Sequence, residues 1–403
     1  MRVLPCGTRT FLPLRWTRSR DRASRPSPRG RSGPVRRHGG VQLIGNGGPR
    51  FDDVREIAVL RGGGLGDLLF AVPALDALAA AYPDARITLL GTPVAPAVLS
   101  GRTGAVHAFE ELPVVPGVRD GGDGAPSRAD FDERTRGRFD LAVQLHGGGR
   151  NSNPFLLGLG ARHTVGTATE DAEVLERWVR YVYYQHEVLR ALEVVSLAGA
   201  APVTLDPRVT VAEQERADAR ARLGVTDRLV AMHPGATDPR RRWSPDRFAA
   251  VVRARLAAGD DVVLVGDASD RAAADAICAA VGDTDRLHDL VGTLPLADLP
   301  VVLAAADVMV GDDSGPRHLA VAVGTPTVGV FWFGNVVNAG PVDRGRHRVH
   351  MSFVTRCPVC GIDVTQVGWT AERCEHDPSF VDEVTPEAVL ADVADLLATA
   401  TRR

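Results

Sequence analysis

Val308-Met309-Val310-Gly311-Asp312-Asp313-Ser314-Gly315-Pro316-Arg317-His318-Leu319-Ala320 is an apolar run that stops at two acids and passes straight into a helical pattern. Pro316 suits the first helical position, so the amides around Ser314 and Gly315 are left pointing outward from a helix N-terminus, where a phosphate can accept them. The stretch predicts a strand, a turn and a helix, with an anion site at the turn. Asp and Ser also cap ordinary helices, so a plain cap stays open until other segments are read.

Two further segments have the same form. Residues 57–60 (Ile-Ala-Val-Leu) read as a buried strand, Arg61-Gly62-Gly63-Gly64-Leu65-Gly66-Asp67 as a glycine-rich turn, and Leu65, Leu68, Leu69, Val72, Leu75, Leu78 and Tyr82 as one helix face. Residues 229–236 (Leu-Val-Ala-Met-His-Pro-Gly-Ala) lead into Arg240-Arg241-Arg242-Trp243-Ser244-Pro245 and a helix through Phe248, Val251, Val252 and Leu256. Strands are expected at 57–60, 86–90, 140–145, 229–233, 262–266, 307–311 and 326–331. Helices are expected at 65–82, about 171–198, 211–223 and 270–281. Two successive runs of alternating strand and helix predict an α/β chain with two doubly wound parallel sheets facing one another across a cleft.

The three blocks, in this order, resemble glycosyltransferase family 9, the ADP-heptose:lipopolysaccharide heptosyltransferases and their relatives. The resemblance covers about residues 55–397. It implies the GT-B fold: an N-terminal Rossmann-like acceptor domain at 51–202, a junction at 203–227, a C-terminal Rossmann-like nucleotide-sugar domain at 228–380 and a C-terminal helix at 381–403. Residues 1–50, rich in arginine with Pro, Ser and Gly and without periodicity or an apolar signal core, read as a disordered extension, with an upstream stretch from a misassigned start codon or a basic arm near an anionic surface left open.

The activity the resemblance implies is inverting, metal-independent transfer of heptose or a related sugar from a nucleotide diphosphate sugar, with ADP-heptose the leading donor. The acceptor is a saccharide such as lipopolysaccharide core, with a cell-wall glycan or a specialised metabolite left open. Such chemistry needs a base for the acceptor hydroxyl and positive charge for the departing diphosphate. Asp67 matches the family's base in its Gly-Asp block, although it can also simply cap its helix. Arg241, two before Trp243, matches the basic residue that meets the phosphate, with Arg240 and Arg242 as neighbours in an open register. Asp313, Ser314, Gly315 and His318 stand in the Asp-Ser-Gly block, and His318 can face the donor or only support the helix. Asp267 and Asp270 are candidates for the ribose and equally for a helix start. Gly64, Gly66, His146, Arg150 and Asn151 are the acceptor-side candidates. Trp243 reads as a packing residue.

Composition narrows the setting independently. The chain has 403 residues, 47 of them Lys or Arg, and every one of these is arginine. Without lysine there is no Walker phosphate loop, no Schiff base and no covalent pyridoxal phosphate. A net charge of −3 gives no global basic field for nucleic acid. No run of eighteen apolar residues predicts a membrane span, which points to a cytoplasmic enzyme and leaves peripheral association with the inner face of the cell membrane open. No cofactor is required beyond the nucleotide-sugar substrate. Five cysteines do not make a disulfide framework. Cys357, Cys360, Cys374 and His376 have the makings of a structural zinc site, with free thiols as the default, and no catalytic metal is expected.

Two rival classes share parts of this pattern. A nicotinamide-dependent oxidoreductase also opens with strand, glycine turn and helix, but Asp67 stands where the third fingerprint glycine belongs and no acid ends the next strand. A non-catalytic nucleotide-binding module would keep the turn at Ser314 and would not need Asp67 facing it.

Overall fold

The computed structural model describes residues 47–122, 124–365 and 374–400. The expected extension at 1–50 lies almost wholly outside the described residues. Two parallel sheets of six strands each carry the chain. The first runs in the order β3 (Ala108–Glu111), β2 (Arg86–Gly91), β1 (Glu56–Leu60), β4 (Leu141–Gln144), β5 (His163–Ala168), β6 (Arg177–Arg180). The second runs β12 (His347–Ser352), β11 (Thr327–Trp332), β10 (Val308–Asp312), β7 (Leu229–His233), β8 (Asp261–Leu264), β9 (Leu287–Asp289). Both use the same winding, starting at a central strand, moving outward and then returning to its other side. The order reverses between β1 and β4 and again between β7 and β10, where such sheets place their ligands. This is the GT-B arrangement.

The central strands form because their side chains are apolar on both faces. Val308 to Val310 and Ile57 to Leu60 are fully buried, as parallel strands covered by helices on both sides require. Helix α1 (Leu65–Ala81) buries Leu68, Leu69, Val72, Leu75 and Leu78. It packs against α5 (Glu187–Ser196) within its own domain and against α10 (Gly315–Val323) of the other. One apolar cluster therefore runs from α1 through α9 (Leu299–Ala305) to α10 without a break. Helix α6 (Glu213–Leu223), expected at the junction, packs on α9 while Glu215 accepts from Arg102 of the first domain at 2.9 Å.

The helix expected over 171–198 is a correction. Its first half is irregular apart from the four-residue edge strand β6, and only Glu187–Ser196 form a helix. In Arg177-Trp178-Val179-Arg180, burial alternates with a period of two, and β-branched and aromatic residues favour extended backbone over helix. Strands β3, β5, β9 and β12 escaped the sequence pattern as well, because they are short or carry polar residues.

Trp243 is a packing residue. Its ring is buried against Phe248 at 5.0 Å, its Nε1–H donates to Val384 O at 2.9 Å, and its amide donates to Asp312 Oδ1 at 3.1 Å. One residue thus ties the arginine turn to the end of β10 through its amide and to the segment before α12 (Pro386–Ala400) through its side chain. Trp243→Ala is expected to lower unfolding free energy by about 3–5 kcal/mol, measured by urea denaturation; a loss below ~1 kcal/mol would contradict this role.

Candidate functional site

The loops after β1, β7 and β10 open onto one cleft of about 910 Å³, lined on the first domain by Gly64, Gly66 and Asp67 and on the second by Arg241, Arg242 and Ser314, among others. Asp67 sits in the first turn of α1. Its Oδ2 accepts from the Gly64 amide at 3.0 Å and its Oδ1 from Arg61 Nη2 at 2.9 Å, and its side chain remains half exposed to the cleft. Arg61 is buried and also donates to the Asp67 and Leu145 carbonyls, with Glu187 Oε2 at 3.5 Å. A guanidinium so fixed holds the carboxylate in one direction.

The three arginines of the turn point in different directions. Arg240 turns away, paired with Asp238 at 2.6 Å and stacked on Phe380 with its guanidinium 5.4 Å from the ring centroid. Arg241 faces the cleft, where Nη1 donates to Asp313 Oδ2 at 3.1 Å and to Asp313 O at 3.2 Å. Arg242 also lines the cleft and donates to Ala236 O at 2.7 Å.

Asp313 is buried, and three donors converge on its carboxylate: Arg241, Asn335 Nδ2 at 2.6 Å and His318 Nε2 at 3.0 Å. Burial alone would raise its pKa, but the His318 hydrogen bond and the nearby positive charges hold it well below the ordinary carboxylate range. Arg317 Nη2 donates to His318 Nδ1 at 2.6 Å, so that nitrogen accepts and the proton resides on Nε2, which donates to Asp313. Neighbouring Asp312 goes the other way. It is fully buried, the Trp243 amide donates to one oxygen, Oδ2 has no partner among the described residues, and burial drives its pKa well up. The adjacent acids therefore differ: Asp312 is kept towards the neutral acid, Asp313 as an anion that organises the cleft wall.

A second chain of hydrogen bonds was missed by the sequence reading. His233, the last residue of β7, has Nδ1 2.9 Å from Ser314 Oγ and Nε2 3.1 Å from Asp270 Oδ2. Asp270 is thus turned onto His233 and the Asp267 amide, while Asp267 is exposed at the cleft edge and accepts from Ser269. The only signal was a histidine ending a buried strand, which commonly means packing. Tyr183, Asn335 and Asn338 also line the cleft without a sequence cue.

Of the acceptor-side candidates, Gly64 and Gly66 line the cleft, whereas His146, Arg150 and Asn151 lie outside its lining. His146 Nε2 is 3.0 Å from Gly117 O beneath a loop, and Arg150 pairs with Asp171 at 3.6 Å on the surface. Asn151 abuts Gly117, where an added Cβ would lie 2.2 Å from its Nδ2. The loop after β4 packs behind the β1 turn, with His146 3.2 Å from where a Cβ on Gly62 would lie.

Two glycines bring the walls together. A Cβ on Gly66 would meet His318 at 3.2 Å, and one on Gly315 would meet Leu65 Cβ at 2.9 Å. Side chains there would pry the turn after β1 from the turn after β10.

Buried imidazoles make the fold acid-sensitive. His318 is pushed down to about 4 from 6.5, first by burial and then by the Arg317 charge, against the opposing Asp313 contact. His347 falls to about 4 for the same first two reasons, and burial also lowers His146 and His186. Between the two values the unfolded chain binds protons that the folded chain refuses, so stability is expected to fall as pH drops from 6.5 towards 4. Urea midpoints across that range should decline, less steeply in His318→Gln; an unchanged slope in that variant would contradict the assignment.

Comparisons with known proteins agree with this geometry. The model of glycosyltransferase family 9 (heptosyltransferase) matches residues 130–352, more than half of the chain. Lipopolysaccharide heptosyltransferase 2 of Salmonella typhimurium is 26% identical over 363 residues, covering 85% of this chain and 98% of that protein. Among solved structures, Escherichia coli ADP-heptose lipopolysaccharide heptosyltransferase II superposes with a TM-score of 0.65 at 20% identity, covering 86% of this chain and 99% of the other. A family 9 glycosyltransferase from Veillonella parvula gives 0.68 at 17% identity, covering 86% and 98%. The oxidoreductase and the non-catalytic module are thereby set aside: the chain belongs to glycosyltransferase family 9 and is a glycosyltransferase.

Proposed function

We propose that this enzyme transfers a heptosyl group from ADP-heptose to a hydroxyl of a glycan acceptor such as lipopolysaccharide core, inverting the anomeric centre and using no metal in the cleft. The observation that carries the reading is the convergence of Asp67 and the anion turn at Ser314 and Gly315 on one cleft. The names of the relatives support the sugar, the donor and the acceptor. A nucleotide sugar is made in the cytoplasm, so the reaction belongs there, at the inner face of the membrane if the acceptor is a glycolipid.

Asp67 removes the acceptor proton as the hydroxyl attacks the anomeric carbon from the face opposite the diphosphate. Its direction is set by Arg61 and the Gly64 amide. Arg241 and Arg242 receive the developing charge on the leaving diphosphate, together with the amides at the N-terminus of α10. Ser314 Oγ, in contact with His233, can donate to the same group. Asp267 at the cleft edge is placed for ribose hydroxyls, and Asp313, His318 and Asp270 hold these groups in position. A single in-line displacement inverts configuration, and guanidinium charge fills the place a divalent ion would take.

Asp67→Asn is expected to lower turnover by about 10²–10⁴-fold while ADP affinity stays near wild type, measured by ADP release and by calorimetry. Near wild-type turnover would sink the base assignment. Arg241→Ala should weaken ADP binding by about 1.5–3 kcal/mol, with Arg240→Ala close to neutral; the reverse order would show that the wrong arginine has been placed on the phosphate.

A further inference from the structure

Away from the cleft, on the far side of the arginine turn, four side chains with soft or imidazole donors gather in the C-terminal domain. Cys357, Cys360, Cys374 and His376 each offer one ligand atom, and these four atoms lie within 4.8 Å of one another. None of the three thiols is in a disulfide. A tetrahedral ion with metal–sulfur bonds of about 2.3 Å spaces its ligands about 3.8 Å apart, so the four atoms need only a small inward shift to share one.

The backbone around them is shaped for this task. The Cys357 amide donates to Ile362 O and the Gly361 amide to Cys357 O, both at 2.9 Å, which closes a tight knuckle. Gly361 has φ 75°, a left-handed conformation that a side chain would strain. Among the described residues, His376 Nδ1 is buried without a hydrogen-bond partner, as an imidazole kept for coordination would be.

The chain just after His376 runs along the back of the arginine turn. Ser379 Oγ donates to Arg242 O at 2.7 Å and the Phe380 amide to Arg240 O at 2.7 Å. The Ser244 amide donates to Asp382 Oδ1 at 3.0 Å. Cys357, Val364, Phe380 and Trp332 are buried in one cluster. The position of Arg241 in the cleft therefore depends on a backbone segment whose upstream end is held by the cysteines.

We propose that Cys357, Cys360, Cys374 and His376 bind one zinc ion, and that this ion braces the turn presenting Arg241 to the donor. Three thiolates and one neutral imidazole fill a tetrahedron and leave no open position, so the site is structural. Binding releases the three thiol protons to solvent and leaves the cluster with a net charge of −1. Its effect on nucleotide affinity rests on the donor reading of the cleft; the metal content does not.

The test uses the full chain, purified under reducing conditions. Elemental analysis should give one zinc per chain, and titration of the thiols with an organomercurial should release it to a colorimetric chelator. Cobalt in place of zinc should show the intense visible and near-ultraviolet bands of tetrahedral thiolate coordination, and Cys374→Ala should lose them, whereas Cys278→Ala should keep them. In the Cys374→Ala protein, amides of residues 240–244 should exchange with deuterium at least ten-fold faster, and ADP affinity should fall about ten-fold. Should that variant fail to fold, the same exchange and affinity measurements on wild type stripped of zinc and then refilled take its place. No metal after reconstitution with zinc, or cobalt spectra without thiolate bands, overturns the site. Thiolate-bound iron in place of zinc overturns the zinc assignment. A bound ion whose removal leaves exchange at 240–244 unchanged overturns the bracing role. Failure of the wild-type chain to bind ADP counts against the donor reading, while metal content and amide exchange still decide this one.

Discussion

A buried carboxylate sets the donor wall. Asp313 is 2% exposed and kept ionised by Arg241, Asn335 and His318. Breaking a buried pair by removing one partner typically costs about 3–5 kcal/mol, which is why so many elements are committed to holding these partners. His318 is oriented by Arg317, Asn335 comes from α11 (Phe333–Ala339), and Arg241 comes from a turn anchored by Trp243 and Phe380. With the aspartate's charge spent inside the protein, the Arg241 guanidinium is held at the cleft. The proposed mechanism uses that division: the protein's own anion positions the cation, and the substrate's anion would take the rest of its field.

The repeated winding of the two sheets places this wall opposite Asp67, the base of the proposed mechanism. The loop after β1 and the loop after β10 both emerge at the carboxyl ends of their sheets, and the contact of α1 with α10 brings them face to face. Gly66 and Gly315 make the approach close enough to matter. Farther along the interface, His186 Nε2 lies 2.7 Å from Gly340 O and Asn338 donates to Tyr183 O at 2.7 Å, so the segment after β6 grips α11 beside Asn335. The helix misread in the sequence is therefore the part of the first domain that helps hold the donor wall.

Legibility in the sequence followed burial. Strands β1, β7 and β10 could be read because both their faces are apolar, and the turns after them because glycine, proline and acid mark a helix start. Edge strand β6 could not, since half of its residues face solvent and Arg177 and Arg180 fit an amphipathic helix as well as a strand. Asp67, Arg241 and Ser314 were legible as members of ordered blocks. His233 was not, because its partners Ser314 and Asp270 are 81 and 37 residues away and only the sheet register joins them. Position at a strand end says nothing of direction for His146, Arg150 and Asn151, polar residues that the fold turns towards the Gly117 loop and the surface. Adjacency in sequence also hid the contrast between Asp312 and Asp313, which depends on which one the neighbouring donors can reach.

The central claim is that Asp67 acts in a single displacement against a diphosphate held by arginine and backbone amides. The most direct measurement is the anomeric configuration of the product by NMR, with the reaction run in the presence and absence of EDTA. The account predicts inversion of the donor's configuration under both conditions. Retention, or activity lost to EDTA and restored by Mg²⁺ or Mn²⁺, would contradict it.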